Sequence, residues 1–359
     1  MVLSSLSTCN FRNLKDDETD LKAKNVYLVG INGQGKTNFL EALYFSNYAS
    51  SFRGVKDSDI ISLNKKDFSV RLKLCNSIIE NILIKIENNK KTILIDNKKI
   101  DSRKDLLSIM SCIIFCHEDM EFITGSPEKR RWFFDQNISL YNSEYLEDLQ
   151  RYKKVLKSRN IILKEIKQGS SSDTLNILDP QLAEYGLRII NQRIKETEYF
   201  SEIFNRIYNK VAEIYNINIT YKKSWTSDSV EEITSYLLAN RERDVFFGST
   251  LSGPHRDKYC FNKNKSEFSE NASTGQKRLF ALLLRVAQAS RYTKMTGKNP
   301  ILLLDDVLLE LDGEKRIKFL NNLPEYEQAF FTFLPEEPYQ KYKDDKTKIY
   351  YVNDGILSE

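Results

Sequence analysis

Val29-Gly30-Ile31-Asn32-Gly33-Gln34-Gly35-Lys36-Thr37-Asn38 decides how this chain is to be read. It fits the phosphate-loop pattern G-x-x-x-x-G-K-[ST]. Val26-Tyr27-Leu28-Val29 before it has the aliphatic run of a short buried strand. Asn38 to about Asn47 after it places Phe39, Leu43 and Phe45 on one side of a helix. Strand, glycine loop and helix form the context this pattern needs. Gly30, Gly33 and Gly35 let the backbone curl so that its N–H groups converge on one concavity. The helix start adds a partial positive charge there. Lys36 is placed to reach outer phosphates, and the Thr37 hydroxyl to ligate Mg²⁺. The plainer reading, a glycine turn ahead of a helix, leaves the Lys36-Thr37 pair without a purpose.

A second stretch supplies the matching chemistry. Pro300-Ile301-Leu302-Leu303-Leu304-Asp305-Asp306 reads as a strand buried on both faces, ending in two carboxylates. Open α/β sheets place ligands at the carboxyl ends of such strands. Asp305 is then the metal-side carboxylate, and Asp306 the acceptor of a proton from the attacking water. Strand ends often carry Asp, but two in succession in a chain with a phosphate loop point to nucleotide hydrolysis.

The rest of the chain sorts around these two stretches. Leu3–Phe11 reads as a first strand, followed by an acidic turn at Asp16-Asp17-Glu18. Alternating positions at Phe68–Leu74, Ile79–Ile86 and Thr92–Ile95 predict an antiparallel meander, with a hairpin turn at Asp96-Asn97 and a return through Lys98–Ile100. Long charged helical patterns follow, from Glu128 to about Lys167 and from Asp179-Pro180 to about Tyr215, separated by Gly169-Ser170-Ser171-Ser172-Asp173. Their irregular heptads predict a packed helical lobe and no long coiled coil. A short strand ends at Lys222–Trp225, and Ser229 with Glu232 has capping-box spacing for a further helix. Strands are expected again at Gln328–Phe333 and Lys348–Val352, with Asp312–Leu320 helical.

Composition sets bounds on function. The 359 residues suffice for two lobes, each with a core. Apolar and charged fractions of 41% and 29% suit a globular protein. No apolar run approaches the length of a membrane span, and the first residues lack the features of a signal peptide. The five cysteines are scattered and odd in number, which fits a reducing cytoplasm. Cys112, Cys116 and His117 lie close together, but no C-x-x-C pair accompanies them and the chain has only one other His, so a zinc site is not expected. A net charge of +4 permits DNA binding through a local patch without requiring it.

Ser273-Thr274-Gly275-Gln276-Lys277-Arg278 precedes a helix and stands shortly before Asp305. Alone it would pass for a helix cap. In this order it resembles the signature loop of ABC-type ATPases, and Glu310-Leu311-Asp312 resembles their D-loop. Further stretches narrow the resemblance to the RecF family of DNA-gap repair proteins. They are Phe11-Arg12-Asn13, Leu40-Glu41-Ala42, Ser51-Phe52-Arg53, Glu118-Asp119, Gly125-Ser126-Pro127 with Arg130-Arg131, Arg243-Asp244, and Gly253-Pro254-His255-Arg256-Asp257. They span nearly the whole chain, and general ABC motifs would not produce the last of them.

The resemblance implies an α/β fold. It is an ABC-class P-loop ATPase head like that of SMC proteins, with a mixed sheet around the phosphate-loop helix and a helical second lobe. Lobe I is expected over 1–118 and 295–359, and lobe II over 119–294. The family implies ATP and Mg²⁺ as cofactors, an ATP-dependent homodimer on DNA, slow hydrolysis, and loading of RecA at gaps with RecR and RecO. Carried onto this sequence, it places Arg12, Gly30, Asn32, Gly33, Gln34, Gly35, Lys36, Thr37 and Asn38 around the nucleotide. Ser273, Gly275 and Gln276 would act on the nucleotide of a second subunit. Thr37 and Asp305 would hold the metal, and Asp306 with Lys36 would be catalytic. Lys129, Arg130, Arg131 and Arg53 are candidate DNA contacts, with Lys153-Lys154 as a further pair; Arg130 and Arg131 have bracing of the nucleotide site as their alternative. His117 stands where the family usually has Pro, and Thr332 where transporter ATPases carry a switch His.

A transporter ATPase subunit is the first competing class; no His after His255 and the long helical insertion count against it. A metabolic P-loop kinase would leave Ser273–Arg278 unexplained. A scaffold that binds ATP without turnover would leave Asp305-Asp306 unexplained.

Overall fold

The structure is a computed structural model that describes residues 2–264, 266–309 and 311–359. The chain divides into two compact units, residues 1–119 with 284–359, and residues 120–283.

The first unit begins with β1 (Val2–Cys9), β2 (Asp17–Asp20) and β3 (Asn25–Val29), then α1 (Lys36–Tyr48). The meander follows as β4 (Phe68–Cys75), β5 (Asn81–Glu87), β6 (Lys90–Ile95) and β7 (Lys98–Ile100), then α2 (Lys104–Ile109) and β8 (Cys112–Phe115). The acidic stretch expected as a turn is partly β2, paired with β1, because Glu18 finds partners in Ser5 Oγ (2.5 Å) and Lys73 Nζ (2.7 Å).

The second unit carries α3 (Glu121–Thr124), α4 (Pro127–Ser139), α5 (Ser143–Ile166), α6 (Leu175–Ala212), β9 (Ile217–Lys222), α7 (Val230–Ala239), α8 (Arg241–Phe247), β10 (Lys258–Lys263), β11 (Ser266–Glu267) and α9 (Phe268–Asn271). Two expectations change here. The helix expected from Glu128 to Lys167 is two helices, because the Asn142 side chain caps a new start on Tyr145 N. The next helix begins at Leu175, and Pro180 lies inside it. Asp179 beside that proline is fully buried and paired with Arg159 (2.7 Å) and Arg241 (2.8 Å), which anchors the turn where proline removes a hydrogen bond. No long coiled coil forms. The apolar face of α6 packs Leu182, Ile189 and Ile190 with Tyr145, Tyr152 and Trp225 into one core. Ser229 Oγ caps α7 by accepting from Glu232 N.

α10 (Thr274–Thr296) starts in the second unit and ends in the first, followed by β12 (Ile301–Leu304), α11 (Gly313–Leu320), β13 (Gln328–Phe333), β14 (Thr347–Asn353) and β15 (Ile356–Ser358). The return to the first unit falls at 284, earlier than the expected 295. The reason is packing: Arg285 of α10 is buried and donates to Asp119 Oδ1 at 3.0 and 2.8 Å.

Two six-stranded sheets make up the first unit. One is the antiparallel run β2-β1-β4-β5-β6-β7. The other, ordered β15-β14-β3-β13-β12-β8, is parallel except for β15. Its registers align Val29 with Phe333 and Tyr351, and Leu304 with Phe331 and Phe115. The carboxyl ends of β3, β13, β12 and β8 therefore share one edge, where the phosphate loop and Asp305-Asp306 emerge.

Candidate functional site

The phosphate loop is shaped by close backbone approaches. Gly33 and Gly35 have φ of +82° and +117°, which favour glycine. A Cβ on Gly30 would sit 2.4 Å from the Val352 carbonyl oxygen, so β14 leaves no room for a side chain there. Among the described residues no carbonyl takes the N–H of Gly33 or Gly35. Those donors and the start of α1 suit an oxyanion. The Lys36 ammonium, buried with its residue at 3% exposure, donates to the carbonyls of Gly30 (2.6 Å) and Ile31 (3.2 Å), folded over the loop it would share with phosphate.

The pair expected to hold the metal is brought together from 268 residues apart: Thr37 Oγ1 donates to Asp305 Oδ1 at 2.9 Å. Thr332 completes the cluster. Its Oγ1 accepts from Asp306 N (2.7 Å) and lies 2.8 Å from Asp306 Oδ1 and 3.3 Å from Asp305 Oδ1. Asp306 has φ of +52°, a left-handed conformation that a non-glycine residue adopts under local constraint. Burial, reinforced by the neighbouring Asp306 charge, raises the Asp305 carboxyl to about 6, against the lowering pull of the Thr37 hydrogen bond. A hydroxyl and a carboxylate in contact, the latter held at a cost in its ionised form, are the oxygen donors a Mg²⁺ ion takes.

Arg12 and Arg53 meet at Glu41, which is fully buried in α1. Arg12 donates to Glu41 Oε2 and Oε1 at 2.9 and 3.0 Å, and its Nη1 to the Asp59 carbonyl at 2.6 Å. Arg53 Nη1 lies 3.3 Å from Glu41 Oε2 and donates to Asn38 Oδ1 at 3.0 Å. Ser51 Oγ also donates to Glu41. Asn38 in turn donates to Asn13 Oδ1 (2.7 Å), and Asn13 to the Gly33 carbonyl (3.2 Å). Phe11-Arg12-Asn13, the phosphate-loop helix and Ser51-Phe52-Arg53 are thus one network behind the loop. Arg53, expected as a DNA contact, is engaged at α1, beside residues expected around the nucleotide. Asn32 is exposed in the loop turn. Gln34 turns its oxygens to the β14–β15 turn, accepting from Asp354 N (2.6 Å) and Gly355 N (2.9 Å).

The remaining expected residues belong to the second unit. Ser273 and Gln276 form a reciprocal capping box at the start of α10: Gln276 N donates to Ser273 Oγ (3.3 Å) and Ser273 N to Gln276 Oε1 (2.9 Å). Ser273 and Gly275 are exposed, and nothing lies within 4 Å of a Cβ built on Gly275. Arg130, expected as a DNA contact, has its guanidinium engaged within the second unit. It donates to Glu267 Oε1 (2.6 Å) and to the carbonyls of Tyr259 (3.0 Å) and Ile123 (2.8 Å), with its guanidinium 4.9 Å from the Phe261 ring. Arg131 is partly buried and donates to the Asp257 carbonyl at 2.8 Å. Lys129 is half-exposed and paired with Glu121 at 2.6 Å. Lys153 and Lys154 are exposed on α5.

Glu41, Asn13 and the Asp354-Gly355 turn have no role assigned by the sequence motifs. The Asp-Gly dipeptide between alternating residues was the available signal for the last. Gly253–Asp257 proves structural. A Cβ on Gly253 would strike Tyr152 Oη at 2.7 Å, and Asp257 accepts from Ser224 N (2.7 Å) and Tyr221 Oη. His255 is held between Tyr152 Oη (2.7 Å) and the Thr250 carbonyl (3.0 Å), and burial lowers its pKa to about 4. Of the D-loop stretch, Glu310 lies outside the described residues. Leu311 is buried, and Asp312 caps α11 by accepting from Lys315 N at 2.9 Å. Among the described residues no group of three or more potential ligands could hold a metal by itself, and no helix is long and apolar enough to cross a membrane.

A family model described as the RecF/RecN/SMC N-terminal domain matches residues 2–358. The DNA replication and repair protein RecF of Treponema pallidum (strain Nichols) is 42% identical over 356 residues, covering 99% of this chain and 100% of that protein. The protein of that name from Streptococcus uberis (strain ATCC BAA-854 / 0140J) is 35% identical over 365 residues, covering 99% of each. The solved structure of the recombination mediator protein RecF with ATP, of the RecFOR pathway, is similar with a TM-score of 0.88 at 29% identity, over 99% of this chain and 97% of that one. An SMC head bound to the C-terminal winged-helix domain of ScpA is similar in fold, with a TM-score of 0.56 at 16% identity, over 100% of this chain and 96% of that one. These likenesses run the length of the chain, and the transporter reading is set aside. The phosphate loop, the paired aspartates and the helical insertion are the parts of one ATPase head, and the chain belongs to the RecF/RecN/SMC family, with the RecF proteins of DNA replication and repair.

Proposed function

We propose that this protein couples ATP to DNA binding in recombinational repair and replication. It dimerises on ATP, holds duplex DNA and gap junctions as the dimer, hydrolyses ATP slowly to dissociate, and helps load RecA at single-strand gaps with RecR and RecO in the cytoplasm. The observation that carries this reading is the 2.9 Å contact between Thr37 and Asp305, with Lys36 and Asp306 on the same sheet edge. Bound Mg²⁺·ATP supplies an electrophilic γ-phosphate. The N–H groups of Gly33 and Gly35 and the ammonium of Lys36 hold and neutralise phosphate oxygens. Thr37 and Asp305 would hold Mg²⁺, and Asp306, its carboxyl placed by the Thr332 hydroxyl, would take a proton from the attacking water. Glu41 keeps Arg12 and Arg53 against the loop helix. Ser273, Gly275 and Gln276 present the start of α10 to the nucleotide of a second protomer. Lys129, Arg131, Lys153 and Lys154 are the cations proposed for DNA. The similarity to a RecF solved with ATP supports the nucleotide.

Sizing of the Asp306→Asn protein with Mg²⁺·ATP, Mg²⁺·ADP and no nucleotide tests this. A stable dimer with ATP alone is expected. A particle of one size in all three conditions contradicts it.

A further inference from the structure

The last turn of the chain touches the phosphate loop more closely than any motif requires. Asn353 pairs with Ile356, and Asp354 and Gly355 between them have φ of +46° and +77°, the two-residue turn that suits Asp-Gly. Their consecutive N–H groups both point at Gln34: Asp354 N donates to its side-chain oxygen (2.6 Å) and Gly355 N to its main-chain carbonyl (2.9 Å). On the other side the Gly355 carbonyl accepts from Lys15 N at 3.0 Å. A Cβ at Gly355 would stand 2.0 Å from the Asn13 carbonyl oxygen, and a Cβ at Gly35 would stand 3.5 Å from Gly355 Cα. One strand earlier, Val352 forbids a side chain on Gly30.

We propose that the Asp354-Gly355 turn is a positioning strap for the phosphate loop, which fixes Gln34 and the Asn13 turn so that the loop N–H groups face the nucleotide. Both carbonyl oxygens of Gln34 are occupied by the turn. An oxygen released from it would be free to swing toward the phosphates, where its charge repels. The strap acts before chemistry, because it contacts neither Asp305 nor Asp306. It therefore governs nucleotide affinity and not the rate from the bound state. This inference rests on the proposed ATP site. If the wild type fails to bind ATP, that reading fails; if the wild type binds and the strap variant binds equally well, only the strap fails.

Gly355→Ala tests it by titration with a fluorescent ATP analogue and by steady-state hydrolysis. The expected result is a Kd and KM raised about tenfold or more, with kcat at saturation within about twofold of wild type. Gly297→Ala is the matched control. It has φ of +67° but nothing within 4 Å of the new Cβ, and leaves Kd unchanged. In Gln34→Met, which removes the side-chain acceptor, Kd also rises and the Asp354 amide exchanges with solvent faster. The double variant should lose less than the product of the two single effects, because both loosen the same strap through neighbouring contacts. Wild-type Kd in Gly355→Ala, or effects that multiply in the double variant, would overturn the proposal. If Gly355→Ala does not fold, Gln34→Met decides alone: wild-type Kd and unchanged exchange at Asp354 overturn it.

Discussion

Thr37 Oγ1 and Asp305 Oδ1 are 2.9 Å apart, so the phosphate loop and the strand that ends in carboxylates share a hydrogen bond. The Asp305 carboxyl, raised to about 6 first by burial and then by Asp306, must be ionised to hold a cation. Apparent Mg²⁺ affinity should therefore fall as pH drops through about 6, tending to tenfold per unit below it, with proton uptake when the metal leaves. Titration of Mg²⁺ at fixed ATP between pH 5 and 8 checks this. The stability effect has the opposite sign. A carboxyl whose folded pKa lies above its unfolded value of about 3.9 favours the fold while protonated, so its contribution is lost as pH rises from about 4 to 6.

Lys36→Ala should weaken ATP binding by about 100-fold or more and abolish ATP-dependent dimerisation, because the remaining N–H donors carry no full charge. Isothermal titration and particle sizing measure both effects. A dimer formed at wild-type ATP concentration would show that the ammonium is dispensable.

Glu41→Gln removes the charge that Arg12 and Arg53 share. Glu41 is fully buried, so the two guanidiniums are left facing an amide, at a cost of about 3 kcal/mol or more in stability. Asn38 and Asn13 lose their alignment with the loop, and ATP affinity should fall together with the melting temperature. Calorimetry paired with nucleotide titration tests the coupling. A stable protein with wild-type affinity would separate the network from the site.

His255 carries a pH prediction for the second unit. Its folded pKa of about 4 lies below the unfolded value of about 6.5, so its contribution to stability is present above about 6.5 and lost as pH falls toward 4. His255→Gln should flatten that part of the stability–pH curve, read as melting temperature between pH 4 and 7.

Much of this could be read from the residues themselves. Periodicity and two motifs located β3, α1, the meander and β12, because each is a local pattern with a local cause. What was not legible depended on tertiary partners. Pro180 lies within α6 because Asp179 is pinned by Arg159 and Arg241, which are 20 and 62 residues away from it. Arg130 looks like a surface cation beside Lys129 until Glu267 and Phe261, far along the chain, are seen around it. The same applies to Arg53, whose partner Glu41 lies on α1. A basic residue does not reveal in sequence whether its partner is solvent, phosphate or a buried carboxylate.

That difference separates Arg130 from Lys129. Arg130→Ala should destabilise the protein by about 1.5–3 kcal/mol through lost charge-assisted hydrogen bonds. Lys129→Ala should change stability by less than about 1 kcal/mol and reduce the salt slope of DNA binding by about one. Denaturant melts and DNA titrations at several salt concentrations assign the two roles.

The proposed coupling is that ATP makes this protein grip DNA. Its most direct test is the Kd of the purified wild type for a short duplex, measured at one salt concentration with Mg²⁺ and a non-hydrolysable ATP analogue, with Mg²⁺·ADP, and with Mg²⁺ alone. The analogue should tighten binding by about tenfold or more over both other conditions. Equal affinity in all three would contradict it.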